Sequence, residues 1–350
     1  ASRQADLFQS GAGTNIPDLP PEFNEFFGSM INMDDPRHAR LRKLVSAGFT
    51  PRMLQRNMED VDAAAKTIVH RLQEAGPGCD FVTTCAAWLP VKIICDMMGI
   101  PESQHEFVFD MTNIILSQGD PEFVPEGQNP LEAFLGAGAA LAGLIDDIAG
   151  QADGSDGDTL THALVNAEID GDKLTREEIQ SFFVLLCAAG NETTRNSISW
   201  GLTYLTANPE QKALLQSDLD THMPGAVEEI VRHASPVIHF RRTVTQDGAR
   251  LGDTVFNEGD KVVLFYGSGN RDDAVFDDPY AFDITRDNTN HIGFGGPGPH
   301  FCLGAHLARR QINVLYKELL SQMPDIHAVG EPDRLRSSFI NGVKHLECAW

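Results

Sequence analysis

One cysteine constrains this chain more tightly than any other residue. The run Phe294-Gly295-Gly296-Pro297-Gly298-Pro299-His300-Phe301-Cys302-Leu303-Gly304 leads into Ala305-His306-Leu307-Ala308-Arg309. Cys302 therefore stands at the end of a rigid glycine- and proline-rich loop and at the mouth of a helix. A thiolate is costly to bury unless amide N–H groups or a metal compensate its charge. The helix after Cys302 supplies free N–H groups and the positive end of its dipole. Gly295, Gly298 and Gly304 let the backbone pass close to a flat ligand. The position suits a thiolate that holds a haem iron, whereas a zinc site on His300 and Cys302 lacks two further ligands at suitable spacing.

This run resembles F-G-x-G-x-H-x-C-x-G-x-x-L-A-R, the haem-ligand loop of the cytochrome P-450 family, and the resemblance extends along the whole chain. It implies haem b with Cys302 as the axial thiolate and metal ligand, and Phe294, Gly295 and Gly304 beside the cofactor. Propionates need cations or N–H donors. His38 and Arg42 share one face of a helix at i, i+4 and resemble the family's H-x-x-x-R propionate helix. His300 and Arg242 match two further propionate contacts; Arg241, adjacent on the same strand, points the other way. Ala189-Gly190-Asn191-Glu192-Thr193-Thr194 resembles the family's oxygen-activation element, with Ala189 against the haem and Glu192 and Thr193 as the catalytic acid–alcohol pair. Glycine inside a helix costs about 1 kcal/mol against alanine. A helix broken at Gly190 would let Thr193 bond a backbone carbonyl. Glu229 and Arg232 form E-x-x-R at helical i, i+3, with Arg286 completing the family's structural pair.

The resemblance is strongest to the actinobacterial branch that oxidises methyl-branched lipids and sterol side chains, through runs such as Met33-Asp34-Asp35-Pro36-Arg37-His38 and Ile94-Cys95-Asp96-Met97-Met98-Gly99. It implies a monooxygenase that hydroxylates a terminal methyl C–H of an apolar lipid, fatty acid or steroid with O2 and electrons from a ferredoxin and its reductase. Phe23, Phe26, Phe27 and Met30 are candidates for an apolar entrance, and Val237, Ile238, Phe240 and Phe339 for pocket walls; plain core is the competing reading of each. A hydrogen-peroxide-dependent peroxygenase and a non-catalytic haem sensor or carrier are the alternatives. The first replaces the acid–alcohol pair with arginine, and the second needs no proton relay.

Charge narrows the partners. With 27 basic against 50 acidic residues the net charge is −23, a field unsuited to nucleic acid or an anionic membrane. An ordinary acidic cytoplasmic protein and a surface adapted to high salt both fit this balance. Arg37, Arg40, Arg42, Lys43, Arg52 and Arg56, with Arg309 and Arg310 behind the cysteine, could steer an acidic ferredoxin. The six cysteines show no C-x-x-C spacing and suit reduced cytosolic thiols. No membrane span is expected, since no run of about 18 apolar residues occurs, and a monomer is expected.

The periodicities predict a mainly α fold with a small β part, in one P-450 domain over 1–350. Helices are expected from Asp35 to Ala47, closed by Gly48; from Leu54 to Leu72; from Trp88 to Met98; from Leu131 to Ala149; and from a capping box at Thr175 to Ala207. Gln151 to Asp158 reads as a loop. Strands are expected at Val237–Thr245 and Lys261–Tyr266, with a terminal hairpin around Asn341-Gly342. The motif alignment also predicts an N-terminally shortened fold that lacks the family's first helix and first strands.

Overall fold

The structure, a computed structural model, describes residues 1–48, 51–152, 157–169 and 171–350; the side chains of residues 22, 28, 47, 48, 51–58 and 169 lie outside that description. Arg52, Arg56 and part of the expected loop at 151–158 fall outside it.

Strand β1 (Phe8–Gln9) is followed by α1 (Pro21–Gly28) and α2 (Arg37–Gly48). Asp35 starts α2 from outside, its Oδ1 accepting the Ala39 N–H at 3.0 Å. Helix α3 (Pro51–Ala75) contains the expected Leu54–Leu72 periodicity, and α4 spans Trp88–Met98 as its pattern predicts. Gly99 closes α4 at φ 77°, a conformation that favours glycine. There follow α5 (His105–Leu116), α6 (Pro130–Ala152), α7 (Leu160–Asn166), β2 (Glu168–Ile169) and β3 (Asp172–Lys173). Residues 151 and 152 extend α6 rather than opening the loop. Helix α6 is long and apolar enough to cross a membrane by length and composition. It nevertheless buries Ala133, Ala137, Gly138, Leu141 and Ile145 against the protein.

The axis of the fold is α8 (Arg176–Ala207), opened by a complete capping box between Thr175 and Glu178. At 32 residues it is about 48 Å long, and α4, α5, α6 and α10 pack around it. It is unbroken at Gly190, contrary to the expected kink. The glycine lets α4 pack closely: a Cβ at Gly190 would meet Ile94 Cδ1, which would have to shift.

Beyond α8 come α9 (Pro209–Ser217), α10 (Leu219–Ala234), β4 (His239–Val244), β5 (Ala249–Leu251), β6 (Thr254–Phe256), β7 (Lys261–Phe265), α11 (Tyr266–Gly269) and α12 (Ala305–Gln322). The chain ends in β8 (His327–Ala328), β9 (Asp333–Arg334), β10 (Val343–His345) and β11 (Cys348–Ala349). The largest sheet is antiparallel in the order β1-β4-β7. The N-terminal segment thus supplies an edge strand of its own, Phe8 opposite Val244.

The expected terminal hairpin does not form. Strand β10 pairs with β9, and β11 with β8. Asn341 lies in the β9–β10 connection, its Nδ2 donating to the Ala234 carbonyl at 2.7 Å. A tertiary hydrogen bond replaces the local turn.

Candidate active site

The Cys302 loop is closed by its own backbone. The Cys302 N–H donates to the Phe294 carbonyl at 3.0 Å, and the Phe301 N–H to the Gly298 carbonyl at 3.2 Å. Between Phe294 and His300 the loop has one residue more than F-G-x-G-x-H-x-C. Gly295 turns there at φ 86°, a region open to glycine at no steric cost. Burial raises the Cys302 thiol pKa, while the Gly304 N–H and the charges of Arg42 and Arg309 act to lower it. The residue is nevertheless exposed, so the thiol opens onto space while protein surrounds it. A Cβ placed on Gly304 would meet nothing within 4 Å. Glycine at 304 is therefore no demand of the polypeptide's own packing, and it leaves room for a flat ligand beside the sulfur.

Four cationic or protonatable side chains converge near the loop from three elements. His38 and Arg42 come from α2, Arg242 from β4 and His300 from the loop itself. The rings of His38 and His300 stand 4.3 Å apart. His38 Nε2 is buried with no hydrogen-bond partner. His300 has its pKa driven down to about 3 by burial and by the charges of His38, Arg242 and Arg42. Burial likewise lowers Arg242. Among the described residues neither Arg42 nor Arg242 has a carboxylate partner: Arg42 donates to the Phe301 carbonyl and Arg242 to the Arg241 carbonyl. Such a cluster is a site for an anion, and two carboxylates of one ligand fit it. Arg241 faces away, bound to the carbonyls of Ala12 and Gly13 and to Asp18 at 2.5 Å.

One face of α8 is less buried than the rest of the helix. Within a stretch otherwise buried, Leu185, Leu186, Ala189, Gly190 and Thr193 alone are half-buried, a set spaced at i, i+4 and i+8. Thr193 donates its hydroxyl to the Ala189 carbonyl at 2.7 Å, which leaves its oxygen lone pairs free toward that face. Glu192 is on the buried side, paired with Arg195 and accepting from Asn196 at 3.0 Å. Its second oxygen, Oε2, is buried without a partner. Arg195 continues to Asn113 of α5 at 2.6 Å. Sequence reasoning missed this pair, although Glu192-x-x-Arg195 has the same spacing as the E-x-x-R it singled out.

Glu229, Arg232 and Arg286 assemble as expected. Arg232 grips Glu229 through two 2.7 Å bonds and donates to the carbonyls of Asn270, Pro279 and Ala281. Arg286 reaches Glu229 at 3.3 Å, so the segment ahead of the cysteine loop is fastened to α10.

Phe240 and Phe339 lie 5.6 Å apart and are half-buried, as are Val237 and Ile238. Met30 is core, and Phe26 and Phe27 wedge against α6, where a Cβ on Gly138 would meet both rings. The cations behind the cysteine are largely engaged inside the protein: Arg309 with Glu228, and Arg310 with Asp62 at 2.5 Å. Outside this region, Glu122, Asp333 and His345 could converge on a cation, but Lys344 Nζ already lies 2.7 Å from Glu122 and 3.6 Å from Asp333.

A cytochrome P-450 family model matches residues 145–324. The methyl-branched lipid omega-hydroxylase of Mycobacterium tuberculosis is 48% identical, over 100% of this chain and 81% of that protein. The steroid C26-monooxygenase of Rhodococcus jostii is 38% identical, over 99% of this chain and 72% of its own length. Among solved structures, a Mycobacterium marinum cytochrome P-450 in complex with pseudoionone superposes with a TM-score of 0.95 at 44% identity, covering 100% of this chain and 84% of that one.

Proposed function

This chain belongs to the cytochrome P-450 family, and from that premise we propose that it is a haem b monooxygenase that hydroxylates the terminal methyl of a methyl-branched lipid or a sterol side chain. The observation that carries the cofactor assignment is that Arg42 and Arg242, two guanidiniums with carbonyl partners but no carboxylate partner among the described residues, converge with the His38 and His300 rings beside an open cysteine thiol. Cys302 would ligate the iron, and Arg42, Arg242, His38 and His300 would hold the propionates. Bound haem supplies dioxygen reduction and oxygen transfer to a C–H bond.

The protein's part is positioning and proton control. Leu185, Leu186 and Ala189, with Phe240 and Phe339, offer an apolar wall that binds a hydrocarbon end and excludes water. Thr193 holds a proton acceptor at Oγ1, because its hydrogen is already committed to the Ala189 carbonyl. Glu192 holds the next exchangeable position at Oε2, and rotation away from Arg195 would bring it toward Thr193. Electrons would come from a ferredoxin and its reductase, to a single catalytic domain in the cytoplasm. The substrate proposal follows the names of the two relatives, omega-hydroxylase and C26-monooxygenase, which both denote oxidation at a chain end.

Spectral titration of the haem-loaded protein with fatty acids, methyl-branched lipids and sterols tests the substrate class. Saturable shifts with branched lipids or sterols, followed by terminal-alcohol product in the presence of ferredoxin, are expected. Turnover with peroxide alone would instead make the protein a peroxygenase, and no turnover with either would make it a haem carrier.

A further inference from the structure

Behind the cysteine loop lies a second charged group that the reaction as described does not use. Glu228, on α10 next to the E-x-x-R glutamate, accepts from Arg309 Nε at 2.6 Å and Nη2 at 2.9 Å. Its Oε2 also meets His291 Nε2 at 2.9 Å. The protonation of His291 follows from its other nitrogen. Nδ1 accepts the Gly293 N–H at 3.1 Å, so it carries no proton while that bond holds, and Nε2–H is the donor to Glu228. Glu228 thus holds two donors, the His291 ring and the charged Arg309 guanidinium. Burial would raise Glu228, but the hydrogen bonds from His291 and Arg309 outweigh it and bring its pKa down to about 2. The carboxylate is therefore held ionised at neutral pH.

These three residues span the loop. His291 stands at its head, and Arg309 lies in the second turn of α12 behind Cys302. The bidentate grip of Glu228 sets the plane of the Arg309 guanidinium, whose Cζ lies 4.2 Å from the centre of the Phe294 ring. The Phe294 carbonyl in turn takes the Cys302 N–H. The same Arg309 charge also acts on the Cys302 sulfur. We propose that Glu228, His291 and Arg309 are a positioning unit for the cysteine ligand: Glu228 fixes Arg309 over Phe294, holds the Cys302 amide in its bond to Phe294, and offsets the Arg309 charge felt at the sulfur. This assigns Arg309 an inward role, in place of the docking role its sequence position suggests, and it rests on Cys302 being the haem ligand.

The sign of the effect distinguishes this unit from a mere structural brace. Reduction adds negative charge at the iron–thiolate centre, so an uncompensated Arg309 favours the reduced form. In the haem-loaded protein, Glu228→Gln should raise the reduced-to-oxidised ratio at a fixed applied potential by about threefold or more. Arg309→Gln should lower it by a similar factor, Arg309→Lys should stay near wild type, and the double Gln variant should return toward it. Amide hydrogen exchange at Cys302 should quicken in both single Gln variants. Equal-sign shifts, or ratios unchanged from wild type, would overturn the proposal. Should Glu228→Gln fail to take up haem, the contrast between Arg309→Gln and Arg309→Lys carries the same test. The ligand assignment fails separately: wild type would then lack the thiolate-type ferrous–carbonyl band, whereas an intact band with unmoved ratios sinks only the positioning unit.

Discussion

Arg241 and Arg242 are neighbours on β4 and both are buried, yet their surroundings differ completely. Arg241 is satisfied by Gly13, Ala12 and Asp18, while Arg242 keeps one bond to a carbonyl and a place 5.9 Å from the Phe240 ring. In the sequence the resemblance singled out Arg242, and strand alternation set Arg241 apart, because adjacent strand residues must face opposite ways. A buried guanidinium without an anion is costly, and its removal relieves that cost. Arg242→Gln should therefore leave the haem-free protein as stable as wild type or more so, while haem dissociates roughly tenfold faster or more; thermal melts of both forms with a haem-transfer assay check this. At Thr193 the expected effect is on chemistry rather than stability. Loss of one hydroxyl bond to a helix carbonyl costs at most about 1 kcal/mol. Thr193→Ala should accordingly fold normally but yield less product per electron pair, with unchanged coupling counting against the relay. The residues proposed to meet a cofactor could be grouped from the sequence, since the chemistry of such a ligand dictates their type and spacing. Glu228, His291 and Arg309 were not, because their roles depend on which side chains the tertiary fold brings together.

Elements were legible in proportion to how locally they are determined. The capping box at Thr175 and the closing glycine at Gly99 place the ends of α8 and α4 where the pattern predicts. Strand β11 reaches back past the β9–β10 pair to β8, which no local turn signal reveals. Their attachment carries its own pH dependence. His345 on β10 meets Asp80 through Nδ1 and Glu122 through Nε2, both at 2.7 Å. Glu122 lies in the α5–α6 connection, which also receives Lys344, and Asp120 beside it accepts the Arg336 N–H at 2.9 Å. Asp333, near Lys344, adds further negative charge. Burial alone would lower the pKa of His345, but the two carboxylates outweigh it and the pKa is raised. A raised histidine pKa means that its contribution is full below the unfolded value near 6.5 and is lost as pH rises through the folded value. The melting temperature of wild type relative to His345→Gln should therefore fall as pH increases from about 6 to 8. A constant difference across that range would show that His345 binds these carboxylates only as a neutral donor.

Across the whole molecule the charge count was legible but its arrangement was not. Of the cations expected to form a docking patch, Arg37 pairs with Glu25, Arg40 with Asp172 and Glu178, Arg309 with Glu228 and Arg310 with Asp62. Even with some cations, such as Arg40, shared between two carboxylates, the 27 basic groups cannot neutralise the 50 acidic ones, and the net charge of −23 leaves carboxylates facing one another and solvent. Added salt weakens both kinds of interaction, and magnitudes decide the outcome. Exposed ion pairs contribute about 0–1 kcal/mol each, and several of the pairs here are partly buried and little screened. The repulsion among the excess carboxylates acts over the whole surface, and its range contracts from about 10 Å at 0.1 M salt to about 3 Å at 1 M. Relief of repulsion should win. The melting temperature should climb between about 0.1 and 1 M sodium chloride, and an equal osmolality of sucrose separates screening from solvent exclusion. A fall in melting temperature over that range would mean that surface ion pairs, rather than net charge, dominate the electrostatic stability of this fold.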